Sequence, residues 1–190
     1  MRVAVPLRHS YRLLNHGPTT LIASAAGGRR NVMAAAWVMP LDFEPPKLAA
    51  VIAGETFTRE LVAASGEMVV SVPTVAQVDL VHAVGSSTGR DADKFETFGI
   101  GTEPASLVAA PLVVGCAAWL ECRIVDEPDL AERYDLFVAE VLAAWADDRW
   151  FHAGGWDFAD PLARSLHHVA GGSFFATGER VDATTRKRPR

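Results

Sequence analysis

Cysteine is scarce in this sequence: Cys116 and Cys122 are the only two among 190 residues. Six positions apart on an extended run, they would lie roughly 20 Å from each other, too far for a disulfide. Both fall on one alternating face with Ala118 and Leu120, so they read as buried free thiols rather than metal ligands, and reduced thiols fit a cytoplasmic protein. No apolar run reaches the roughly eighteen residues needed to cross a bilayer, and the opening MRVAVPLRHSYRLLNHG holds no secretory hydrophobic segment. Positive charge is also short. Eighteen Lys and Arg face 23 Asp and Glu, a net −5, which leaves no basic footprint for nucleic acid. Much of what there is gathers at the end, where Arg186, Lys187, Arg188 and Arg190 outnumber Asp182, and 182–190 reads as a solvated, disordered tail.

The signatures of several chemistries are missing too. There is no H-E-x-x-H, no C-x-x-C, no Walker A loop and no G-x-G-x-x-G fingerprint. His167 and His168 are adjacent, so on a strand they point to opposite faces and would not chelate one ion together. The expectation is no metal site.

What is present is organised around Leu13–Val38. Two low-polarity runs, Leu21–Ala26 and Asn31–Val38, flank Gly27-Gly28-Arg29-Arg30, which reads as a hairpin whose glycines supply positive φ. On the second run Asn31, Met33, Ala35 and Trp37 share a side. Its small side chains bring the backbone close to whatever lies against it, a neighbouring sheet or a flat ligand. Residues 1–12 read as an extension with a short apolar strand, and 13–181 as one domain. Pro40–Lys47, with Pro45-Pro46, reads as a rigid crossover, and Leu48–Ala53 as a strand. Thr56–Ser65 reads as a helix capped by Thr58 and stopped by Gly66, Met68–Val72 as a strand and Val75–Val84 as a second helix. Ala118–Val125 alternates, one face to the core and the other, with Trp119, Glu121 and Arg123, to a rim or subunit contact. Asp126–Arg133 reads as a charged connection and Tyr134–Ala144 as the antiparallel partner strand. Trp145–Phe158, rich in aromatics, suits a lid, a dimer contact or plain loop packing.

The polar stretch Gly85–Gly99 collects Ser86, Ser87, Thr88, Gly89, Arg90 and Lys94. Together with free amides at the start of the Thr58 helix, this set suits a phosphate. The competing reading pairs Lys94 with Asp91 or Asp93 on a solvated loop. Asn31 can both donate and accept, so it suits the edge of a heterocycle or a ribityl oxygen, or else it caps the turn after Arg30.

At this point the sequence resembles the flavoredoxin and flavin-reductase-like family. The carrying segments are NVMAAAW (31–37), Glu44-Pro45-Pro46, FTRELVAASGEMVVSVP (57–73), GRDADKF (89–95), LECRIVDEP (120–128) and LHHVAGGSF (166–174), in the family's order over about 12–178. The resemblance implies a mainly β fold, a six-stranded antiparallel Greek-key split barrel with flanking helices, and a homodimer with FMN near the subunit interface. It implies flavin contact from Asn31 and from Met33, Ala34, Ala35, Ala36 and Trp37. Thr58, Ser86, Ser87, Gly89, Lys94 and Phe95 would lie around the phosphate, with His168 at the cofactor rim. Family members often carry hydroxyl residues where this chain has Ala34 and Ala36. The implied activity is hydride transfer from NADH or NADPH to flavin, serving an oxygenase or another electron acceptor, with no protein nucleophile. The alternative is an FMN-binding electron carrier or sensor reduced by a partner protein.

Overall fold

The glycine turn does fold the chain back on itself. The structure, a computed structural model, describes residues 1–183; most of the basic tail, 184–190, lies outside the described residues. In chain order the first strands are β1 (Arg2–Ala4), β2 (Thr20–Ala26), β3 (Arg29–Ala35), β4 (Val38–Phe43) and β5 (Pro46–Val51). Next come α1 (Phe57–Ser65), β6 (Glu67–Val72), α2 (Val78–Gly85), α3 (Lys94–Thr97), β7 (Thr102–Glu103) and β8 (Leu112–Val113). The remainder is β9 (Ala118–Ile124), α4 (Pro128–Tyr134), β10 (Leu136–Asp147), β11 (Phe151–His152), β12 (Gly155–Trp156), β13 (Leu166–Ala170) and β14 (Ser173–Ala176). Gly27 and Gly28 both take positive φ, 57° and 76°, between β2 and β3.

Every strand pair is antiparallel. The main sheet runs β3-β2-β6-β9-β10-β5-β4, with β1 also paired to β10. Its two terminal strands, β3 and β4, are consecutive in sequence, joined only by Ala36 and Trp37. The sheet therefore curls round so that chain continuity, not a ladder, closes the seam of a split barrel. Inward residues of all these strands, among them Ile22, Ala35, Val38, Leu48, Val70, Leu120, Ala139 and Ala144, form the barrel core. A second apolar layer lies outside β2, β3, β6 and β9, where Val81, Val84 and Phe95 cover Leu21, Val32 and Val69.

Several expectations change. The sheet holds eight strands, not six. Pro40–Lys47 is a hairpin rather than a crossover: β4 is a terminal strand, and Pro46 is the first residue of β5, positions where a missing N–H is tolerated. The charged connection contains α4, with Pro128 in its first turn and Asp135 ending it at φ 56°. The second face of β9 is a rim only at Arg123, which is exposed; Trp119 and Glu121 are buried. Glu121 is fully buried and accepts from the N–H groups of Ser106 and Leu107, from Ser106 Oγ and, at 2.8 Å, from Trp145 Nε1. Trp119 is likewise buried and donates to Val113 O. The cysteines are free and buried, but in different layers, because the chain bends between Cys116 and the start of β9. Burial pushes the Cys116 thiol up to about 12 and Cys122 higher still, so neither is a thiolate at neutral pH. No helix among the described residues is long and apolar enough to cross a membrane.

Candidate functional site

The terminal strand β3 exposes one backbone edge. Val32 O on that edge accepts from Lys94 Nζ at 3.1 Å. Strand alternation then puts the amide and carbonyl of Ala34 on the same open edge. Two recesses line this edge and share Ala34, Gly85 and Ser86. The first, about 160 Å³, lies between Ala34–Ala36, His82 on α2, and His168, Gly171 and Phe174 of the β13–β14 hairpin. The second, about 340 Å³, lies between β3, the start of α1 and the loop after α2. Together they fall within the roughly 300–1,000 Å³ of small-molecule sites.

Asn31, in the second recess, is buried and donates from Nδ2 to Thr58 Oγ1 at 2.8 Å, while its Oδ1 has no partner. Turning the amide over leaves the same result: one head atom meets Thr58 and the other is orphaned. Gly89 closes over it. A Cβ there would sit 2.0 Å from Asn31 Oδ1, so only glycine fits. Thr58 Oγ1 thus accepts from Asn31, and the cap of α1 is Thr56, which accepts from Arg59 N at 3.2 Å; this corrects the expected capping residue. The unpaired amides at the start of α1 and its dipole make that side of the recess attractive to an anion.

Lys94 is buried with no carboxylate beside it. Its Nζ donates to Val32 O at 3.1 Å and to Val84 O at 2.7 Å, which leaves one of its three protons free. Burial lowers its pKa to about 8. The competing pairing with Asp93 is excluded by geometry: Asp93 caps α3 and holds Arg30 Nε at 2.8 Å. Around the mouth, Arg29 lies 4.1 Å from the Phe57 ring centre and Arg90 5.9 Å from it, both held by backbone carbonyls. The loop hydroxyls are not equivalent. Ser87 Oγ donates back to Ala83 O at 2.8 Å, whereas Thr88 Oγ1 accepts from Arg90 N and keeps its own proton free.

Of the residues expected here, Asn31, Met33, Ala34, Thr58, Ser86, Ser87, Gly89 and Lys94 line the second recess. Ala34, Ala35, Ala36, Ser86 and His168 line the first. Two do not line either. Trp37 is 75% exposed, because the chain leaves β3 after Ala35 and the alternation stops. Phe95 lies in the outer apolar layer under the Arg30 guanidinium, 4.7 Å from its ring centre. Sequence reasoning gave no site role to Phe57, His82 and Phe174; Phe57 and Phe174 stand at the ends of two of the carrying segments, and tertiary packing brings all three to the site. The aromatic stretch after β10 is internal packing: Trp145 bonds Glu121, while Trp156 donates to Arg12 O and stacks on Phe158 at 5.3 Å.

Residues 12–158 match the family model described as flavin reductase like domain. The chain is 45% identical to the Escherichia coli K12 protein YddH over 184 residues, covering 95% of this chain and 97% of that one. A solved structure from Shewanella baltica OS155, described as an FMN-binding domain of a flavin reductases-like enzyme, superposes with a TM-score of 0.94 at 48% identity, covering 97% of this chain and 98% of that one. The flavoredoxin of Desulfovibrio vulgaris (Miyazaki F) shares the fold, with a TM-score of 0.77 at 23% identity over 88% of this chain and 90% of that one. The chain belongs to the flavin reductase-like domain family.

Proposed function

We propose that this chain binds FMN along the open edge of β3 and is an NADH- or NADPH-dependent oxidoreductase that delivers reduced flavin or electrons to an acceptor such as an oxygenase. The observation that carries the reading is the orphaned head atom of Asn31, buried beneath Gly89 in the same recess as the uncompensated Lys94. A buried polar atom without a partner costs about 1–3 kcal/mol, and a ribityl or ring group in the recess removes that cost. The free proton of Lys94, that of Thr88 and the amides of α1 suit the flavin phosphate. The open backbone edge at Ala34 suits the polar edge of the ring, with His168 at the rim. Ala34 and Ala36 give the ring room but no side-chain bond, so its orientation rests on main-chain groups. When bound, FMN supplies the hydride and electron chemistry; the residues position it and exclude water.

We also read the chain as a homodimer. Trp37 and Met39 share the outward face of β4 and its approach, and Leu41 stands at the bulge beside them; each is about half to three-quarters exposed, which forms one apolar outward patch. The buried reduced thiols fit the cytoplasm. The functional test is anaerobic addition of NADH or NADPH to FMN-loaded protein. Bleaching of the flavin absorbance with either one is the expected result. Stoichiometric FMN that neither nicotinamide bleaches would reject direct oxidation and leave an electron carrier reduced by a partner protein.

A further inference from the structure

One histidine, His16, lines neither recess of the site just described. His16 follows the first helical turn, Leu7–Leu13, and is walled by Trp156 (5.4 Å between ring centres), Phe158 (5.9 Å) and His167 (6.0 Å). Its Nε2 meets Ser165 Oγ at 2.9 Å, Ser165 Oγ meets Thr177 Oγ1 at 2.6 Å, and Thr177 Oγ1 meets His167 Nε2 at 3.0 Å. The line ends with His167 Nδ1 on Gly17 O at 3.0 Å.

A carbonyl only accepts, so with a neutral His167 ring the direction of the whole line is fixed. His167 carries its proton on Nδ1, Thr177 donates to Nε2, Ser165 donates to Thr177, and His16 donates from Nε2 to Ser165. His16 Nδ1 is then a bare lone pair, and that atom is buried with no partner. A proton placed there would be a charged donor facing apolar rings, with no acceptor in reach. The neighbouring charged groups are spoken for: Arg12 bonds Gly154 O, Arg164 bonds Phe158 O, Asp160 accepts from Leu162 N, and Asp157 accepts from Ala159 N and lies 3.9 Å from His152. None of them bonds His16.

The partners of His16 all sit where the β13–β14 hairpin joins the barrel. Thr19 N to Leu166 O, His168 N to Thr19 Oγ1 and Val75 N to Arg164 O tie the hairpin and its approach to the barrel, and Thr177 N to Ser165 O closes the hairpin's base. That hairpin forms one wall of the first recess through His168, Gly171 and Phe174. We propose that His16 is an acid-sensitive latch: in its neutral Nε2–H form it holds the hairpin closed over the recess, and its protonation releases the hairpin. The inference does not depend on what the recess holds.

The sign follows from linkage. Burial, and then the charge of His167, lower His16 from 6.5 to about 4 in the closed form, whereas an opened imidazole titrates near 6.5. The open form therefore binds more protons between those values. Closure is at full strength above 6.5 and weakens as the pH falls towards about 4, by up to about tenfold in the opening constant per pH unit.

The test is amide hydrogen exchange on the full, ligand-free chain, corrected for intrinsic rates, read at Thr19, His168 and Thr177 with β6 and β9 amides as the control for global unfolding. The expected result is opening that rises about sevenfold from pH 6 to pH 5 at those three amides alone, and a flat profile in His16→Gln, which still donates to Ser165 but does not titrate. A flat wild-type profile, or the same slope in the variant, overturns the proposal. Imidazole nitrogen shifts of the wild-type protein decide it even if the variant misfolds. His16 should stay in its neutral Nε2–H form at pH 5.5 while the hairpin amides are protected; titration near 6.5 with those amides still protected overturns it.

Discussion

Lys94 shows how one side chain serves both the fold and the site. Two of its protons tie β3 to the end of α2 through Val32 O and Val84 O, and the third is left for a ligand. Lys94→Ala should weaken FMN roughly 10- to 150-fold, the equivalent of one charged hydrogen bond of about 1.5–3 kcal/mol. Riboflavin, which lacks the phosphate, should be affected far less; flavin fluorescence titrations with both ligands measure the difference, and equal losses would assign Lys94 to structure alone. Glu121 is the contrasting case, a buried carboxylate that only holds structure. Burial pushes its pKa up, but the N–H groups of Ser106 and Leu107, the Trp145 indole and the Ser106 hydroxyl outweigh it, so it sits below the usual carboxylate value. With a folded value below the unfolded one, its contribution is present above the unfolded pKa and lost as the pH falls through the folded one. Glu121→Gln sets a donor against those N–H groups and should cost about 3 kcal/mol, read by urea unfolding at pH 7. That Asn31, Gly89 and Lys94 meet in one recess was legible because small or charged residues in apolar or glycine-rich surroundings need a chemical reason. Trp37 and Phe95 were misplaced because their positions depend on where β3 ends and how α3 packs, which no spacing encodes.

Among the elements, α1 was the most legible, since Gly66 stops it in the left-handed region at φ 69° as its position in the sequence suggests. The cap was misread by two residues: Thr56 and Thr58 are chemically alike, and only the structure shows that Thr58 is engaged by Asn31. Thr56→Ala should therefore lower stability by about 1 kcal/mol through loss of the bond to Arg59 N. The variant should also loosen the recess wall, a change that thermal unfolding with and without FMN would separate. Helix α4 escaped notice because, among its residues, only Ala131 packs against the core, so no apolar stripe marks it. Strand β4 escaped because two prolines follow Phe43 and Glu44 and masked a hairpin that a terminal strand can accept.

The molecule as a whole was read correctly, mainly β with flanking helices and a split barrel, but the barrel came from the family resemblance and its closure was not legible in the residues themselves. The pairings that build the barrel, β2 with β6, β6 with β9 and β10 with β5, join distant parts of the chain, and alternation within a strand does not say which strand lies next to it. The closure matters because it places β3 and β4 back to back through Ala36 and Trp37, with the recess on one side and the apolar patch on the other. If a second copy covers that patch, Met39→Glu with Leu41→Glu should convert a dimer to a monomer in sedimentation analysis while leaving the far-UV spectrum unchanged; a monomeric parent would contradict the assembly. The central claim is that flavin occupies the recess roofed by Gly89. Its most direct measurement is an FMN titration of the parent and of Gly89→Val, whose Cβ would meet Asn31 Oδ1 at 2.0 Å. The account predicts one FMN per chain in the parent and little or none in a folded Gly89→Val; equal binding by the two would contradict it.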